Sequence, residues 1–242
     1  MIELHNITVA YGKQQVLTDL TLTLNSGQII GLVAPNGTGK STFLHLLLNF
    51  IPPQSGKLLI NQTLTYGSPK ANRSIHQLIT ILPALEDLYP DLTGYEHLRL
   101  YQRLWQQPSS HLPQIIETLD MSAFLKLPVR RYSYGMRQRL ALGMQLATNS
   151  PIMLMDEVMN GLDPSLVATV SQLLKDLAQE GKLIVIASHL LDNLEEISQR
   201  ILFLNDQQVA YDWSKDNSQD SLSVSELYNE IYLQKRLKTK LS

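Results

Sequence analysis

Gln28-Ile29-Ile30-Gly31-Leu32-Val33 runs into Ala34-Pro35-Asn36-Gly37-Thr38-Gly39-Lys40-Ser41-Thr42, and the stretch from Ser41 to Phe50 follows directly. The first piece is continuously apolar, the pattern of a strand buried on both faces. The last has the spacing of an amphipathic helix and is closed by Pro52-Pro53. Strand, glycine-rich bend and helix in that order form the context in which a loop holds phosphate. Gly37 and Gly39 let successive backbone N–H groups turn inward around phosphate oxygens, and the helix beyond adds the positive end of its dipole. Lys40 then reaches the terminal phosphates as a point charge, and the Ser41 hydroxyl ligates Mg²⁺. Ala34 stands where such loops usually open with glycine, which alanine can replace if φ stays negative.

On either side of this block the patterning is that of an α/β protein. Residues 2–10 and 16–24 alternate apolar with polar, as half-buried strands do, and short strands are expected near 57–60 and 77–82. From Gly94 to about Thr148 the spacing is helical. Strands return at Ile152–Met155 and Leu183–Ala187 around a helix from Pro164 to about Glu180, which argues for a parallel sheet with its crossovers packed on the faces. Two more strands, 200–204 and 207–211, flank the Asn205-Asp206 turn. Residues 212–221 read as a polar loop, and a last amphipathic helix spans about 223–238. No internal repeat or low-complexity tract interrupts this order.

Two further pieces carry chemistry. Ile152-Met153-Leu154-Met155-Asp156-Glu157 is an apolar strand ending in adjacent carboxylates, delivered at the edge of the sheet where open α/β folds bind ligands. Asp156 is expected to hold Mg²⁺ through water and Glu157 to polarise the water that attacks a γ-phosphate. Ser188-His189 follows another apolar strand, which brings an imidazole to the same edge. His5, His45, His76, His97 and His111 lack such a position and read as structural or exposed.

Together these motifs resemble the nucleotide-binding subunit of an ATP-binding cassette (ABC) transporter, over essentially all of residues 1–211. Tyr11-Gly12 resembles the family's adenine-stacking aromatic. Tyr132-Ser133-Tyr134-Gly135-Met136-Arg137-Gln138-Arg139 is similar to its signature, in a Ser-x-Gly-Met variant, Gly161-Leu162-Asp163-Pro164 to its dimer-contact loop, and His189 to its switch histidine. The resemblance implies a P-loop NTPase core with a mainly parallel sheet, an N-terminal antiparallel β-subdomain and an inserted α-helical subdomain. It divides a single domain of 1–242 into a core of about 1–83 and 150–211, a helical part of about 84–149 and a C-terminal extension of about 212–242. The implied ATP-binding set is Tyr11, Val16, Asn36, Gly37, Thr38, Gly39, Lys40, Ser41, Thr42 and Asp156, with Glu157 and His189 catalytic and Mg²⁺ on Ser41 and Asp156. Ser133, Gly135 and Met136 would meet the γ-phosphate held by a second subunit, with Asp163 in the contact between the two.

Two departures stand out. Ala84 occupies the position of the glutamine usual at the junction with the helical part, and alanine neither ligates Mg²⁺ nor orients water. Two rescues are open: Glu86 or Asp87 swinging in, or a displacement of the loop. Losing one preorganised polar contact costs about 10²–10³ in rate, so hydrolysis is expected to be weak and real. Val158 stands where proline is usual after the acid pair.

Composition fits this reading. The 242 residues carry a formal net charge of −2, with 44% hydrophobic and 17% charged residues, a globular balance with no global drive towards nucleic acid. Arg130, Arg131, Arg137 and Arg139 cluster at the signature, but their aromatic interleaving stops at Tyr132 and Tyr134. The absence of cysteine excludes a disulfide framework, a zinc ribbon and a thiol nucleophile. No stretch approaches the roughly 20 apolar residues of a membrane span, and Met-Ile-Glu-Leu-His does not open a signal peptide. The expectation is a subunit at the cytoplasmic face of the membrane, recruited by an integral-membrane partner and paired with a second cassette in a homodimer or heterodimer. The Ser-x-Gly-Met variant and the single-cassette length favour an exporter. The partner is expected to dock around 84–105, with Tyr89, Leu92, Tyr95 and Leu98 as candidate contacts or as lobe core. A dimerisation switch with little hydrolysis is the alternative that Ala84 raises.

Overall fold

The computed structural model describes residues 1–62, 64–65, 68–216 and 222–234. Two sheets organise it. The first has the order β2-β1-β4-β5, with β1 (Ile2–Tyr11), β2 (Gln14–Leu24), β4 (Ser55–Ile60) and β5 (Leu64–Thr65) all antiparallel. The second has the order β10-β9-β3-β8-β7-β6, built from β3 (Gln28–Val33), β6 (Ile79–Ile81), β7 (Ile152–Asp156), β8 (Leu183–Ala187), β9 (Arg200–Asn205) and β10 (Gln208–Ser214). Every pairing in it is parallel except β9 with β10. The expected fold class holds, the N-terminal antiparallel sheet and the mainly parallel sheet being both present.

Successive side chains of a strand point to opposite faces, and the central strands use both. Ile29, Met153, Ile184 and Phe203 enter one core, shared with the helices, while Ile30, Leu154, Val185 and Leu202 enter another, closed by the antiparallel sheet and α1 (Lys40–Leu47). That is why β3 and β8 read as unbroken apolar runs.

The helical stretch of 94–148 resolves into α3 (Gly94–Leu104), α4 (Leu112–Thr118) and α5 (Tyr134–Ala147). Thr93 opens α3 with a capping box: its side chain accepts from the Glu96 N–H at 3.3 Å, and the Glu96 carboxylate accepts from the Thr93 N–H at 2.7 Å. Leu98 is fully buried, so it builds the core and offers no docking contact; Leu92 is half-buried, whereas Tyr89 and Tyr95 are exposed. Among the described residues no helix is long and apolar enough to cross a membrane.

Four elements differ from the sequence reading. Gln77 and Leu78 end α2 (Pro69–Leu78), not a strand; proline starts the helix, Ile75 is its buried contact, and only residues 79–81 pair with β7. Asp212 extends β10 instead of opening a loop, because Arg200 grips its carboxylate with Nε at 2.7 Å and Nη2 at 2.6 Å, and Trp213 is buried beside it. Helix α7 (Leu191–Ile197), unforeseen, follows His189, while α6 (Pro164–Gln179) matches its expectation. The C-terminal helix is α8 (Val224–Tyr228) continued by a π-helical turn, Asn229–Gln234. Residues 217–221 and 235–238, expected as loop and helix, lie outside the described residues.

Candidate functional site

Parallel strands bring their carboxyl ends to one edge, and here β3, β7 and β8 deliver the bend, the acid pair and His189 to the same place. They line one cavity of about 510 Å³ with Tyr11, Val16, Asn36, Gly37, Gly39, Lys40, Ser41, Thr42, Asp156, Glu157 and His189 on its wall. Gly37 and Gly39 take φ of +80° and +108°, conformations that side chains oppose. Ala34 does not take positive φ, which is why alanine is tolerated there. Thr38 is not on the cavity wall; its hydroxyl turns back and donates to the Pro35 carbonyl at 2.7 Å, bracing the bend from within. Gln14 and Asn160 also line the cavity. Gln14 was legible as the residue two before Val16 on the same strand face; Asn160 carries no local signal.

The charges are tightly grouped. His189 Nε2 lies 3.4 Å from Lys40 Nζ and 3.5 Å from Glu157 Oε1. Burial pushes the Lys40 ammonium below its ordinary value, against the pull of Glu157 and Asp156. Burial likewise raises the Asp156 carboxyl, opposed by Lys40, His189 and His45. Glu157 sits at φ +52°, strained for a residue with a side chain, and its N–H donates to the Ala187 carbonyl at 2.8 Å. Further supports are Gln138 of α5, which donates through Nε2 to the carbonyls of Glu157 (3.1 Å) and Val158 (2.9 Å), the Asn160 N–H on the Glu157 carbonyl at 3.1 Å, and Ser188 Oγ and His189 N–H, each 3.4 Å from Glu157 Oε2. Glu157 Oε1 is buried and, apart from the ion-pair contact of His189 Nε2 at 3.5 Å, has no hydrogen-bond partner among the described residues. A buried acceptor left open beside a phosphate-shaped bend suits a water held for in-line attack.

A second cavity of about 480 Å³ adjoins the first and shares Ser41, Asp156 and Glu157 with it. Ala84 and Glu86 line it, with His45, Tyr134 and Gln138; Asp87 is not among its lining residues. His45, expected to be structural or exposed, lies one helical turn beyond Ser41 on the same face of α1, a spacing that points to the cavity.

Ser133, Gly135 and Met136 line neither cavity. They open α5 on the surface, where the Ser133 hydroxyl accepts from the Met136 N–H at 3.3 Å. Asp163 caps α6, accepting from Leu166 N–H at 3.0 Å and from the Ser165 hydroxyl at 2.7 Å. Arg139 joins the two helix starts, 3.3 Å from Asp163 and 3.2 Å from Asp120. Gly161, at φ +72°, leaves the room that the Tyr134 ring needs, since a Cβ there would come within 2.3 Å of Tyr134 Cδ1.

A family model described as ABC transporter matches residues 17–160. The chain belongs to the ABC transporter family. It is an ATP-binding cassette of that family, an ATPase coupled to transport. Among its relatives, the lantibiotic transport ATP-binding protein SrtF of Streptococcus pyogenes is 26% identical over 98% of this chain and 100% of its own length. The Nod factor export ATP-binding protein I of Cupriavidus metallidurans is 29% identical over 85% of this chain and 68% of its own. Among solved structures, a dimeric post-hydrolysis state of the cassette MJ0796 bound to ADP and Pi superposes with a TM-score of 0.78. It is 25% identical, covering 90% of this chain and 100% of that one.

The cassette's donor set fits Mg²⁺. Among the described residues no cluster of three or more His, Cys, Asp or Glu can hold a metal ion. One hydroxyl and one carboxylate, Ser41 and Asp156, face the same cavity. Mg²⁺ favours such sparse protein coordination, taking its remaining ligands from phosphate and water.

Proposed function

We propose that this cassette drives an exporter by binding ATP between two cassettes and hydrolysing it there. The observation that carries the reading is the split between the phosphate cavity and the surface that opens α5: Lys40, Ser41, Asp156, Glu157 and His189 share one cavity, and Ser133, Gly135 and Met136 lie outside it. A second cassette, head to tail, supplies what each cavity lacks. Tyr11 and Val16 take the adenine side, and Asn36 to Thr42 wrap the phosphates. Thr38 serves the bend from within, its N–H and hydroxyl both on the Pro35 carbonyl at 3.4 and 2.7 Å. Ser41 and Asp156 would hold Mg²⁺, which would supply neutralisation of the charge developing on the phosphates. Glu157 orients water, and His189, between Lys40 and Glu157, contacts the γ-phosphate. Asp163 lies in the contact between cassettes.

The core of about 1–83 and 150–211, the helical part of about 84–149 and the extension beyond form one working domain. The integral-membrane partner docks on the helical part through Tyr89 and Tyr95 and keeps the cassette at the cytoplasmic face. The names of the lantibiotic and Nod factor relatives and the Ser-x-Gly-Met variant support export over import.

ATP turnover measured against protein concentration, for wild type beside Glu157→Gln, tests the reading. The rate is expected to rise faster than linearly and to collapse in the variant; linear turnover untouched by the substitution would overturn it. A dimerisation switch that hardly hydrolyses is the second reading, favoured by Ala84 on the wall beside Asp156 and Glu157. Ala84→Gln separates the two: a gain of about 10²–10³-fold marks a weakened motor.

A further inference from the structure

The C-terminal segment presents a buried hydroxyl that packing alone does not require. Val224, Leu227 and Tyr232 enter the main core, with 0%, 5% and 5% of their surfaces exposed, and a phenylalanine at 232 would fill the same space. Burying a phenol costs free energy unless its O–H is bonded. The Tyr232 hydroxyl lies 3.0 Å from the Val33 carbonyl and 2.8 Å from the Leu204 carbonyl, sharing one proton between them. Val33 ends β3 and Leu204 is the penultimate residue of β9, its parallel neighbour, so the bridge sits where the ladder between these strands runs out. The residue after Val33 begins the phosphate bend.

We propose that Tyr232 is a positioning residue of the nucleotide site, its hydroxyl fixing the root of the phosphate loop from the C-terminal segment. This rests on reading the cavity as the ATP site. Two successive carbonyls at the root are held by side chains: Val33 by Tyr232, and Ala34 by Lys40 Nζ at 2.5 Å. When Lys40 turns to the phosphates, the Ala34 contact is given up and the Val33 contact remains. The same segment is tied to α7, just beyond His189, by Val224 N–H to Glu195 Oε2 at 3.2 Å and by Ser225 Oγ to Asp192 Oδ1 at 3.3 Å. One strap therefore spans the root of the loop and the element that follows the histidine.

Calorimetric titration with Mg-ADP, which avoids turnover, tests this in Tyr232→Phe beside Thr148→Val. Thr148 is a buried hydroxyl far from the site that bonds the Gln145 carbonyl at 2.6 Å, so its loss is a matched structural defect. Both variants should melt lower. Only Tyr232→Phe should also weaken Mg-ADP, by about five- to tenfold, with Thr148→Val within about twofold of wild type. Equal Kd shifts in the two variants, or none in Tyr232→Phe, overturn the proposal. Wild type failing to bind Mg-ADP would instead overturn the assignment of the cavity. If Tyr232→Phe does not stay folded, hydrogen exchange on the wild type decides. Coupling between sites is reciprocal, so Mg-ADP should slow exchange in Asn229–Gln234, and unchanged exchange there refutes the strap.

Discussion

Gln138→Leu is the substitution whose consequences the geometry defines most closely. Gln138 is buried, and its amide nitrogen serves two acceptors, the carbonyls of Glu157 and Val158 at 3.1 and 2.9 Å. Leucine keeps most of the volume and removes both donors. The Glu157 carbonyl keeps the Asn160 N–H at 3.1 Å, so only the Val158 carbonyl is left without a partner, at a cost of about 1–3 kcal/mol. For a chain of this size that lowers Tm by roughly 2–12 °C. The functional effect is separate. Glu157 holds a strained φ of +52°, a conformation worth about 1–3 kcal/mol that persists only where its surroundings enforce it. Without Gln138 the Glu157 main chain keeps only the Ala187 carbonyl and the Asn160 N–H, and its carboxylate only the long contacts of Ser188 Oγ and His189 N–H at 3.4 Å, so the carboxylate is held less firmly beside His189. Turnover should fall by about 10²-fold while Mg-ADP affinity, set by the bend, stays within about threefold. Differential scanning fluorimetry with a phosphate-release assay reads both. A destabilised variant with wild-type kcat would refute the link between Gln138 and Glu157. An unchanged Tm would show that the two bonds carry no load.

Three further outcomes follow from the same geometry. Gly161→Ala should cost about 1–3 kcal/mol, because φ there is +72° and the new Cβ meets the Tyr134 ring; adding Tyr134→Ala should recover the overlap but not the backbone strain, and strict additivity in the cycle would count against that contact. Hydrogen bonds hold three capping carboxylates below their usual range: Asp163 through the Ser165 hydroxyl and then Leu166 N–H, Glu96 and Glu226 through the N–H and then the hydroxyl of Thr93 and Ser223. A folded pKa below the unfolded one gives stability that is whole above about pH 4–5 and lost as pH falls through the folded value, so Tm should be level near neutrality and drop below about pH 4; a profile flat to about pH 2 would sink this. Tyr89→Ala with Tyr95→Ala should abolish recruitment to membranes carrying the partner and leave Mg-ADP binding intact, and normal recruitment would move the docking surface elsewhere.

What could be read in advance depended on the range of the physics involved. The apolar runs of β3, β7 and β8 announce buried strands because both their faces are covered, and the chemistry at their ends follows from parallel strands sharing a carboxyl edge. Lys40 and His189, distant in the chain, meet for that reason. Helix α2 was hidden because one buried isoleucine and a proline are too little periodicity to outweigh the apolar look of 77–82. Asp212 looked like loop because its partner, Arg200, lies across a hairpin. Thr38 is a different case: motif position places it among the phosphate ligands, and spacing gives no sign that its hydroxyl turns to the nearby Pro35 carbonyl. Gln138 and Tyr232 act on backbone carbonyls of other segments, which have no signature in composition or spacing.

The position of α5 explains why the two halves of the proposed site need not touch within one chain to act together. Ser133, at its start, is exposed, while Gln138 holds the Glu157 backbone and Arg139 holds Asp163. Five or six residues are less than two turns, too short for the ends to move independently. On the proposed pairing, a phosphate gripped by the start of α5 belongs to the partner's nucleotide, and the displacement it imposes reaches this chain's own Glu157 and dimer-contact loop. Each site is thereby informed of the occupancy of the other through a rigid element rather than through the bend. Gln138→Leu cuts that link on one side only, so in a mixed pair it should lower turnover at the cavity of the substituted chain and spare the other. Equal loss at both cavities would place the coupling elsewhere.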